Sequence, residues 1–301
     1  MLNIAILGLG VMGRNHYRLL NENPDVNVVA VCDVIKDESY KENFYTTVED
    51  LIANESFDAA IIAVPTFLHK EVSLKLIDKG IHLLIEKPAA SNVKDATQIL
   101  DAAKKANVKC VIGHVERFNP VVSALKEELK DKEIYSVAIT RVGPFPPRIS
   151  DVGVLTDLSV HDIDLVRFIT NRNILKQAIF KSQKIHNHYE DNAILSFELE
   201  NDIIAEITTN WLTPFKKRKI EVACKEAYYE ADLIAQDLVE YSQYHTNNSY
   251  VTRNCFVKKD EPLKKELEAF ISFVKGNGME GLSTVEDSII TLKIANQENQ
   301  C

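Results

Sequence analysis

The stretch of sequence that decides the fold is IAILGLGVMG at residues 4–13, where an apolar run leads directly into three glycines. The apolar run predicts a buried strand, and the amphipathic pattern over Val11–Asn21 predicts the helix that follows it. In this context Gly8 allows a tight turn, Gly10 lets the backbone approach a pyrophosphate, and Gly13 lets the helix pack closely on the strand. The helix N-terminus would then face the anion, so the stretch predicts a dinucleotide-binding unit.

An aspartate after the second predicted strand indicates which dinucleotide is bound. Asp33 lies twenty positions after Gly13, where a carboxylate accepts hydrogen bonds from the ribose hydroxyls of the adenosine. The same charge would repel a 2′-phosphate, so NAD is preferred to NADP, although Lys36 would weaken the discrimination. The alternatives are a glycine-rich turn without a ligand and a surface aspartate that begins a loop. The predicted cofactor contacts in this region are Gly8, Gly10, Val11, Met12, Gly13 and Asp33.

Short apolar runs alternate with amphipathic stretches through the first 119 residues, which is typical of a parallel sheet covered by helices on both faces. The predicted strands are Asn3–Leu7, Asn27–Cys32, Ala59–Val64, His82–Ile85 and Lys109–Ile112. The predicted helices are Val11–Asn21, His69–Lys79 and Val93–Ala106. We therefore predict an α/β protein whose N-terminal domain, residues 1–119, is a Rossmann domain with a doubly wound parallel sheet.

Beyond residue 119 the pattern changes, because strand-like runs follow one another after one short helical stretch. These runs are Tyr135–Val142, Gln177–Ile185, Ala193–Leu199, Ile203–Trp211 and Lys219–Ala223. Strands without intervening helices form antiparallel sheets, so residues 120–301 are predicted to be an α+β domain with an open antiparallel sheet that binds substrate and forms oligomers. Two helix patterns close the chain, Leu263–Lys275 and Thr284–Ala295, and one of them is expected to pack on the first domain.

Two further groups of polar residues carry candidate chemistry. Lys87, within Glu86–Pro88, follows an apolar strand at the sheet edge where ligands bind, and its ammonium group would polarise a substrate hydroxyl. Asp157 lies one helical turn before His161, where a carboxylate would orient an imidazole that accepts a proton, and the same spacing puts Asp164 on that face. The alternatives are a solvated charged pair at a strand end, and a helix with an N-cap aspartate and an ordinary polar histidine.

Together these motifs resemble the glucose-fructose oxidoreductase and inositol dehydrogenase family, Gfo/Idh/MocA, over nearly the whole chain. The resemblance rests on Gly8–Gly13, Ala63–Thr66 with His69, Glu86–Pro88, Gly113–Pro120, and Asp157 with His161. It implies an NAD-dependent oxidoreductase of sugar hydroxyls in which Lys87, Asp157 and His161 carry catalysis. It also implies cofactor contacts at Pro65, Thr66, His69, Glu86 and Lys87. A homodimer or homotetramer through the C-terminal sheet is expected on the same ground.

A narrower resemblance, to the branch that contains UDP-N-acetylglucosamine 3-dehydrogenases, rests on residues 113–120 and 141–148. It implies oxidation of the 3-hydroxyl of a UDP-sugar, with Arg148 clamping the diphosphate. The candidate substrate contacts are Arg117, Asn119, Arg148, Asp157 and His161, with a structural role as the alternative for the first two. An aromatic and basic neighbourhood that suits a nucleotide diphosphate is formed by Phe145, Arg148, Trp211 and Lys216.

Three other functions remain open at this point. The chain would equally suit a dehydrogenase of a free sugar or an inositol, or an imine or biliverdin-type reductase. A catalytically inert protein of the same fold that senses NAD or a sugar is the alternative from another class, because a fold alone does not establish activity.

Composition limits the remaining classes of function. The 301 residues carry a formal net charge of −9 spread along the chain, which argues against nucleic acid as a partner. No run of about 18 apolar residues occurs, so no membrane span is predicted and a cytoplasmic location is expected. The five cysteines form no Cys-x-x-Cys pair, and His69 and His114 have no ligand partners nearby in sequence. Neither a disulfide framework nor a metal site is therefore predicted.

Overall fold

The computed structural model describes residues 1–146, 152–242 and 249–297, and the chain divides into two compact units. The first unit is formed by Met1–Val115 and Leu263–Leu292, and the second by Glu116–Pro262 and the chain from Lys293 onward. The first unit is therefore discontinuous in sequence, because the chain leaves it after Val115 and returns to it at Leu263. Among the helices that are described, none is both long and apolar enough to span a membrane.

A seven-stranded sheet forms the centre of the first unit. Its strands, numbered in chain order, are β1 (Leu2–Leu7), β2 (Val26–Cys32), β3 (Asn43–Tyr45), β4 (Ala59–Ile62), β5 (His82–Glu86), β6 (Cys110–Gly113) and β15 (Ser283–Thr284). The strand order is β15-β6-β5-β4-β1-β2-β3, and every pair is parallel except β15 with β6. The prediction of a doubly wound Rossmann sheet is confirmed, with β3 and β15 as strands that the sequence pattern did not indicate.

The helices that belong mainly to this unit are α1 (Val11–Asn21), α2 (Val48–Asn54), α3 (His69–Ile77), α4 (Val93–Ala106), α7 (Pro262–Val274) and α8 (Val285–Ala295). Their ends follow from local chemistry. Asn92 caps α4 by accepting a hydrogen bond from the backbone N–H of Asp95, and Asn107 ends the helix in the left-handed region at φ 54°. Lys109 donates to the carbonyl oxygens of Phe273 and Val274, so an ammonium group caps the C-terminus of α7.

An eight-stranded sheet forms the second unit. Its strands are β7 (Ile134–Pro144), β8 (Ile174–Ser182), β9 (Asn192–Leu199), β10 (Ile204–Asn210), β11 (Leu212–Cys224), β12 (Ala227–Asp232), β13 (Asp237–Ser242) and β14 (Val251–Cys255). They are arranged in the order β14-β13-β12-β11-β7-β10-β9-β8, and helices α5 (Pro120–Glu128) and α6 (Val160–Thr170) pack against this sheet.

The predicted antiparallel sheet is confirmed in all of its pairings except that of β7 with β10, which are parallel. The chain passes from β7 through α6 and the hairpin of β8 and β9 before it reaches β10. A crossover of that length returns a strand in the same direction, which a two-residue hairpin does not. Inward residues such as Val137, Leu195 and Ile207 are buried, whereas Phe180 and Ile194 on the opposite face are 70% and 42% exposed.

Candidate functional site

The glycine-rich turn between β1 and α1 has the shape that a bound dinucleotide needs. Gly8 has a φ of +89°, and a Cβ there would lie 2.5 Å from backbone atoms of Ala63 and Val64. A Cβ on Gly13 would lie 1.8 Å from the carbonyl oxygen of Gly8, so glycine is required at both positions. Gly10 faces open space, with no such neighbour within 4 Å. Helix α1 begins after Gly10 without a side-chain cap, which leaves its first N–H groups for an anion.

Asp33, directly after β2, is anchored to the same turn. Its Oδ2 accepts a hydrogen bond from the backbone N–H of Leu9 at 2.6 Å, and its Oδ1 accepts one from the N–H of Ile35 at 3.1 Å. Each carboxylate oxygen keeps a second lone pair that a ribose hydroxyl would use. A negative charge is thus fixed beside the turn.

Glu86–Pro88 follow β5 at the carboxyl edge of the parallel strands, where open α/β sheets bind ligands. Glu86 is hydrogen-bonded through Oε1 to Nε2 of His16, at 2.7 Å. The carbonyl oxygens of Pro88 and Val64 lie 2.9 Å from Nδ1 and Nε2 of His69, respectively. Because His69 is only 1% exposed, its ring holds backbone segments together, and its contact with a cofactor stays a prediction.

The other predicted cofactor contacts lie at the same edge of the sheet. Pro65 precedes a short 3₁₀ turn that begins at Thr66, and Val11 at the start of α1 is 59% exposed. Pro65 is exposed and Thr66 is half-buried, so both are accessible to a ligand.

Asp157 lies in a π-helix, Leu155–Ser159, that leads into α6, and His161 lies in the first turn of α6. Both side chains are half-buried. A π-helix is rare and occurs often at functional sites, because its wider turn re-aims the side chains that it carries. The spacing of Asp157 and His161 was predicted as one regular helical turn, and the π-helix is the local departure from that expectation.

Glu190 anchors the start of this segment. Its carbonyl oxygen accepts a hydrogen bond from the N–H of Val154 at 3.0 Å, and its Oε1 accepts one from the N–H of Leu155 at 3.2 Å. A Cβ on Gly153 would lie 2.1 Å from Oε1 of Glu190, so a side chain there would displace the carboxylate. The segment that carries Asp157 is therefore held by the loop before β9.

Two predicted substrate contacts have structural partners. Arg117 donates to both carboxylate oxygens of Asp164, at 2.7 and 2.5 Å, and both residues are buried. Asn119 caps α5 by accepting from the N–H of Val121, and its Nδ2 donates to the carbonyl oxygen of Leu233. Direct contact of Arg117 and Asn119 with a substrate stays a prediction. Asp164, which the spacing put on the same helix face as Asp157 and His161, is buried, and its carboxylate pairs with the guanidinium group of Arg117.

A buried charge network, which sequence reasoning missed, adjoins His161. Arg141 on β7 donates to Asp162 at 2.8 Å and to Glu116 at 2.8 Å, and Arg218 on β11 also donates to Glu116, at 3.1 Å. Burial opposes ionisation of Glu116, but the two guanidinium groups hold the pKa of its carboxyl below the ordinary value. The signal in the sequence was a charged residue at an inward position of a strand, Arg141. Its partners are remote in sequence, so their identity could not be read from it.

An aromatic cluster adjoins the loop that contains Glu190. The ring of His186 stacks on Trp211 with centroids 6.3 Å apart, and Phe145 meets both rings edge-on. Nδ1 of His186 accepts backbone hydrogen bonds from His188 and Tyr189, so the ring proton of the neutral form is on Nε2. Phe145 and Trp211, two members of the predicted aromatic and basic neighbourhood, are in ring contact, and their role in substrate binding stays a prediction. Arg148 and Lys216 are the other members of this neighbourhood. Arg148 lies outside the described residues.

One group of potential metal ligands lies close together in the part of the chain that is described, Glu128, Glu240 and Cys255. Arg253 donates to both carboxylates, at 2.5 Å each. The carboxylate oxygens are therefore paired with a guanidinium group, and the cluster has a structural role.

Known proteins share both the sequence pattern and the fold. The oxidoreductase family GFO_IDH_MocA, with its NAD-binding Rossmann fold, matches residues 2–114, and the GFO/IDH/MocA C-terminal domain matches residues 133–230. UDP-N-acetylglucosamine 3-dehydrogenase of Acidithiobacillus ferrooxidans is 25% identical over 79% of this chain and 76% of its own length. The structure of that enzyme aligns with a TM-score of 0.89 and 21% identity over 98% of this chain and 96% of its own.

A further relative is named for another substrate, and a further solved structure contains a UDP-sugar. scyllo-Inositol 2-dehydrogenase (NAD(+)) of Bacillus subtilis is 28% identical over 56% of this chain and 54% of its own length. The WlbA dehydrogenase of Bordetella pertussis, solved in complex with NADH and UDP-GlcNAcA, aligns with a TM-score of 0.84 and 17% identity over 98% of this chain and 94% of its own. The two matched domains cover most of the chain, which belongs to the GFO/IDH/MocA oxidoreductase family and is a nicotinamide-dependent dehydrogenase.

Proposed function

We propose that the protein uses NAD to oxidise a secondary hydroxyl of a nucleotide-linked sugar, and that its substrate is UDP-N-acetylglucosamine, oxidised at the 3-hydroxyl. The observation that carries the redox assignment is the open backbone at Gly10, where α1 begins without a side-chain cap. A pyrophosphate would satisfy those N–H groups. The carboxylate of Asp33, fixed by Leu9, would accept the ribose hydroxyls and disfavour the 2′-phosphate of NADP.

The cofactor-binding set that we propose lies entirely in the first unit. The backbone of the glycine-rich turn would hold the pyrophosphate, and residues that follow β4 and β5 would border the nicotinamide half. The members are Gly8, Gly10, Val11, Met12, Gly13, Asp33, Pro65, Thr66, His69, Glu86 and Lys87. A nicotinamide bound by these residues would supply the acceptor for the hydride of the substrate carbon.

The three catalytic side chains have different roles in the proposed reaction. His161 accepts the proton of the substrate hydroxyl, and Asp157 orients its imidazole and stabilises the imidazolium that forms. Lys87 donates a hydrogen bond to the same oxygen and stabilises its developing negative charge. Together the three groups would remove the proton of the substrate hydroxyl and stabilise the charge on its oxygen.

The choice of a nucleotide sugar rests on the relatives and on the second unit. Two relatives act on or bind UDP-sugars by name, and both align with almost all of this chain. The cluster of Phe145, His186 and Trp211 lies beside the loop that holds the Asp157 segment through Glu190. His186 and Trp211 are buried and hold Phe145, which is half-buried, so the ring of Phe145 would be available to the planar base or the sugar face of a UDP-sugar, a contact that a bare polyol would use less.

Inositol oxidation is the second candidate, and the observation that favours it is the relative from Bacillus subtilis, which has the highest identity of those described above. A small polyol would need the same three catalytic groups. It would make no use of the aromatic cluster or of contacts to a diphosphate, so the two candidates differ in what remote binding energy contributes.

A substrate panel tests the proposal. NADH formation is followed with UDP-sugars, free N-acetylglucosamine, inositols and imines, each with NAD and with NADP. UDP-N-acetylglucosamine is expected to give the highest kcat/KM, because diphosphate and base contacts help to position the reacting carbon. Faster turnover of a free sugar or an inositol would refute the nucleotide-sugar assignment, and turnover of none of them would favour the sensing protein.

We further propose a homodimer or homotetramer through the open face of the eight-stranded sheet. Phe180 on β8 and Ile194 on β9 are cross-strand neighbours on that face, and both side chains are exposed. Apolar side chains that share an exposed face are a feature of association surfaces. Light scattering of the wild-type protein and of the double variant Phe180→Lys, Ile194→Lys measures the mass; an unchanged oligomer in the variant would exclude this face. The cytoplasmic location stays a prediction.

A further inference from the structure

Three buried side chains from three different helices hold the loop that contains Lys87. His16 on α1 is hydrogen-bonded to Glu86, His69 on α3 faces the carbonyl oxygen of Pro88, and Ser288 on α8 accepts a hydrogen bond from the backbone N–H of Ala89 at 3.2 Å. All three side chains are at most 1% exposed. The residues on either side of Lys87 are thus fixed from the interior of the first unit.

The hydrogen bond between His16 and Glu86 holds the residue that precedes Lys87. The ring is fully buried, its Nε2 lies 2.7 Å from Glu86, and its Nδ1 has no partner among the described residues. Burial of an imidazole with one unsatisfied nitrogen costs free energy. The remaining bond to Glu86 is therefore expected to have a function. The carboxyl group of Glu86 lies beside Gly113, where the absence of a side chain leaves room for it. The bond therefore fixes the residue before Lys87.

His69 holds the residue that follows Lys87 and also contacts a second backbone segment, at Val64. Its two ring nitrogens both face carbonyl oxygens, those of Pro88 and Val64. Burial lowers the pKa of His69, and Glu86 is the charged group that opposes this effect, so near neutral pH the ring has one proton and donates to one carbonyl at a time. The ring nevertheless fills the space between the two backbone segments and keeps them at a constant separation.

We infer that His16, His69 and Ser288 are positioning residues for Lys87. The inference rests on the proposed role of Lys87 as the group that stabilises the substrate oxygen. A lysine side chain has four rotatable bonds, so the place from which it starts decides which part of a substrate it reaches. An error of about 1 Å in placing a catalytic group can reduce the rate by as much as about a hundredfold. Three buried contacts that hold the loop would prevent such an error.

A matched pair of variants at one position tests the inference. His16→Gln keeps an N–H donor near the place of Nε2, whereas His16→Leu fills the space and removes the donor. We expect His16→Leu to lower kcat about tenfold or more with little change in the KM for NAD, and His16→Gln to restore most of it. His69→Ala and Ser288→Ala are also expected to lower kcat, and Ser288→Ala, which is outside the proposed cofactor-binding set, should do so with little change in the KM for NAD. His82→Asn is the control, since His82 accepts a backbone N–H on the far end of β5 and should leave kcat unchanged.

A double-mutant cycle separates positioning from a general structural role. In the Lys87→Ala background, His16→Leu is expected to cause little further loss, because the group that it positions is gone. Losses that multiply in the double variant would overturn the inference, and so would unchanged kcat in His16→Leu and His69→Ala together.

Hydrogen exchange gives a second readout that needs no turnover. Amide exchange in a peptide covering residues 86–90 is expected to be at least tenfold faster in His16→Leu and His69→Ala than in the wild type, while exchange in β1 stays constant. If Lys87→Ala is fully active, the proposed function fails, and this measurement still decides whether the three side chains order the loop. Unchanged exchange in all three variants would overturn the inference on its own. Ser288→Ala, the smallest change, serves if a histidine variant does not fold.

Discussion

The carboxylate of Asp33 accepts a hydrogen bond from the backbone N–H of Leu9 at 2.6 Å, which fixes the charge at the end of β2 against the glycine-rich turn. Asp33→Asn is therefore expected to preserve the shape of the turn but to remove the charge that repels a 2′-phosphate. The ratio of NAD affinity to NADP affinity should fall about tenfold, equivalent to about 1.4 kcal/mol. Titration calorimetry with both cofactors measures it. Equal affinities in the unmutated protein would show that Asp33 does not select the cofactor.

Removal of a catalytic group should slow chemistry and spare cofactor binding. Lys87→Ala and His161→Ala are each expected to lower kcat by on the order of a hundredfold or more, because a proton acceptor or an oxyanion donor is lost. NAD affinity should change little in His161→Ala, since that residue lies in the second unit. Near wild-type turnover by both variants, with thermal unfolding unchanged, would mean that the catalytic set is wrong.

A side chain at Gly153 is expected to displace the carboxylate of Glu190. In Gly153→Ala the new Cβ would push that flexible carboxylate away from the N–H of Leu155, and loss of this hydrogen bond should lower the free energy of unfolding by about 0.5–1.5 kcal/mol. Because Glu190 also holds the segment that carries Asp157, kcat should fall as well. Gly278→Ala, at a position with open space around it, is the matched control. Urea unfolding and steady-state kinetics of both variants provide the comparison.

The buried charge network should be costly to break from its centre. Arg141→Leu leaves Asp162 and Glu116 without their shared guanidinium, and a loss of about 3–5 kcal/mol in the free energy of unfolding is expected. Lys176→Leu, which breaks an exposed ion pair with Glu198, should change stability little. If the two variants unfold at the same urea concentration, the network contributes no more than a surface pair.

Stability should fall as the pH falls below about 6.5, in part because of His69. Burial lowers its pKa in the folded protein, whereas the unfolded chain takes up a proton near its ordinary value of 6.5. The unfolded state then binds more protons than the folded state, so the free energy of unfolding decreases with decreasing pH in this range. His69→Gln should show a smaller decrease between pH 7.5 and 5.5 in urea unfolding, with His82, whose pKa burial also lowers, supplying part of the remainder. An identical decrease in the variant would contradict this account.

Local patterns predicted the first unit well, because its information is local. Three glycines after an apolar run were sufficient for β1 and α1, and period and capping residues gave α4 to the residue. In the second unit β12, β13 and β14 were missed. These strands are short and contain many polar residues, as in the sequence AYYEAD of β12. Their formation depends on pairing with neighbouring strands.

The contacts that shape the candidate site could not be predicted in the same way. His16 and Glu86 are 70 positions apart, and Arg117 and Asp164 are 47 apart. Such pairs form only after the topology brings helices and strands together, so residue type and spacing carry no record of them. The sequence indicated that Lys87 follows a strand, but not that buried side chains hold both of its neighbours.

The return of the chain to its first unit has a consequence for synthesis and for fragments. β15, Ser283–Thr284, pairs with β6 and covers what would otherwise be the bare edge of the sheet. A nascent chain that has emerged only as far as residue 119 has every strand of the Rossmann core but an uncovered edge, which is open to pairing with other chains. Synthesis of the first unit is thus interrupted at residue 115 and is completed only after residues 116–262 of the second unit have been made. A fragment ending near residue 119 should therefore aggregate. The first unit in isolation should fold only when residues 263–292 are included.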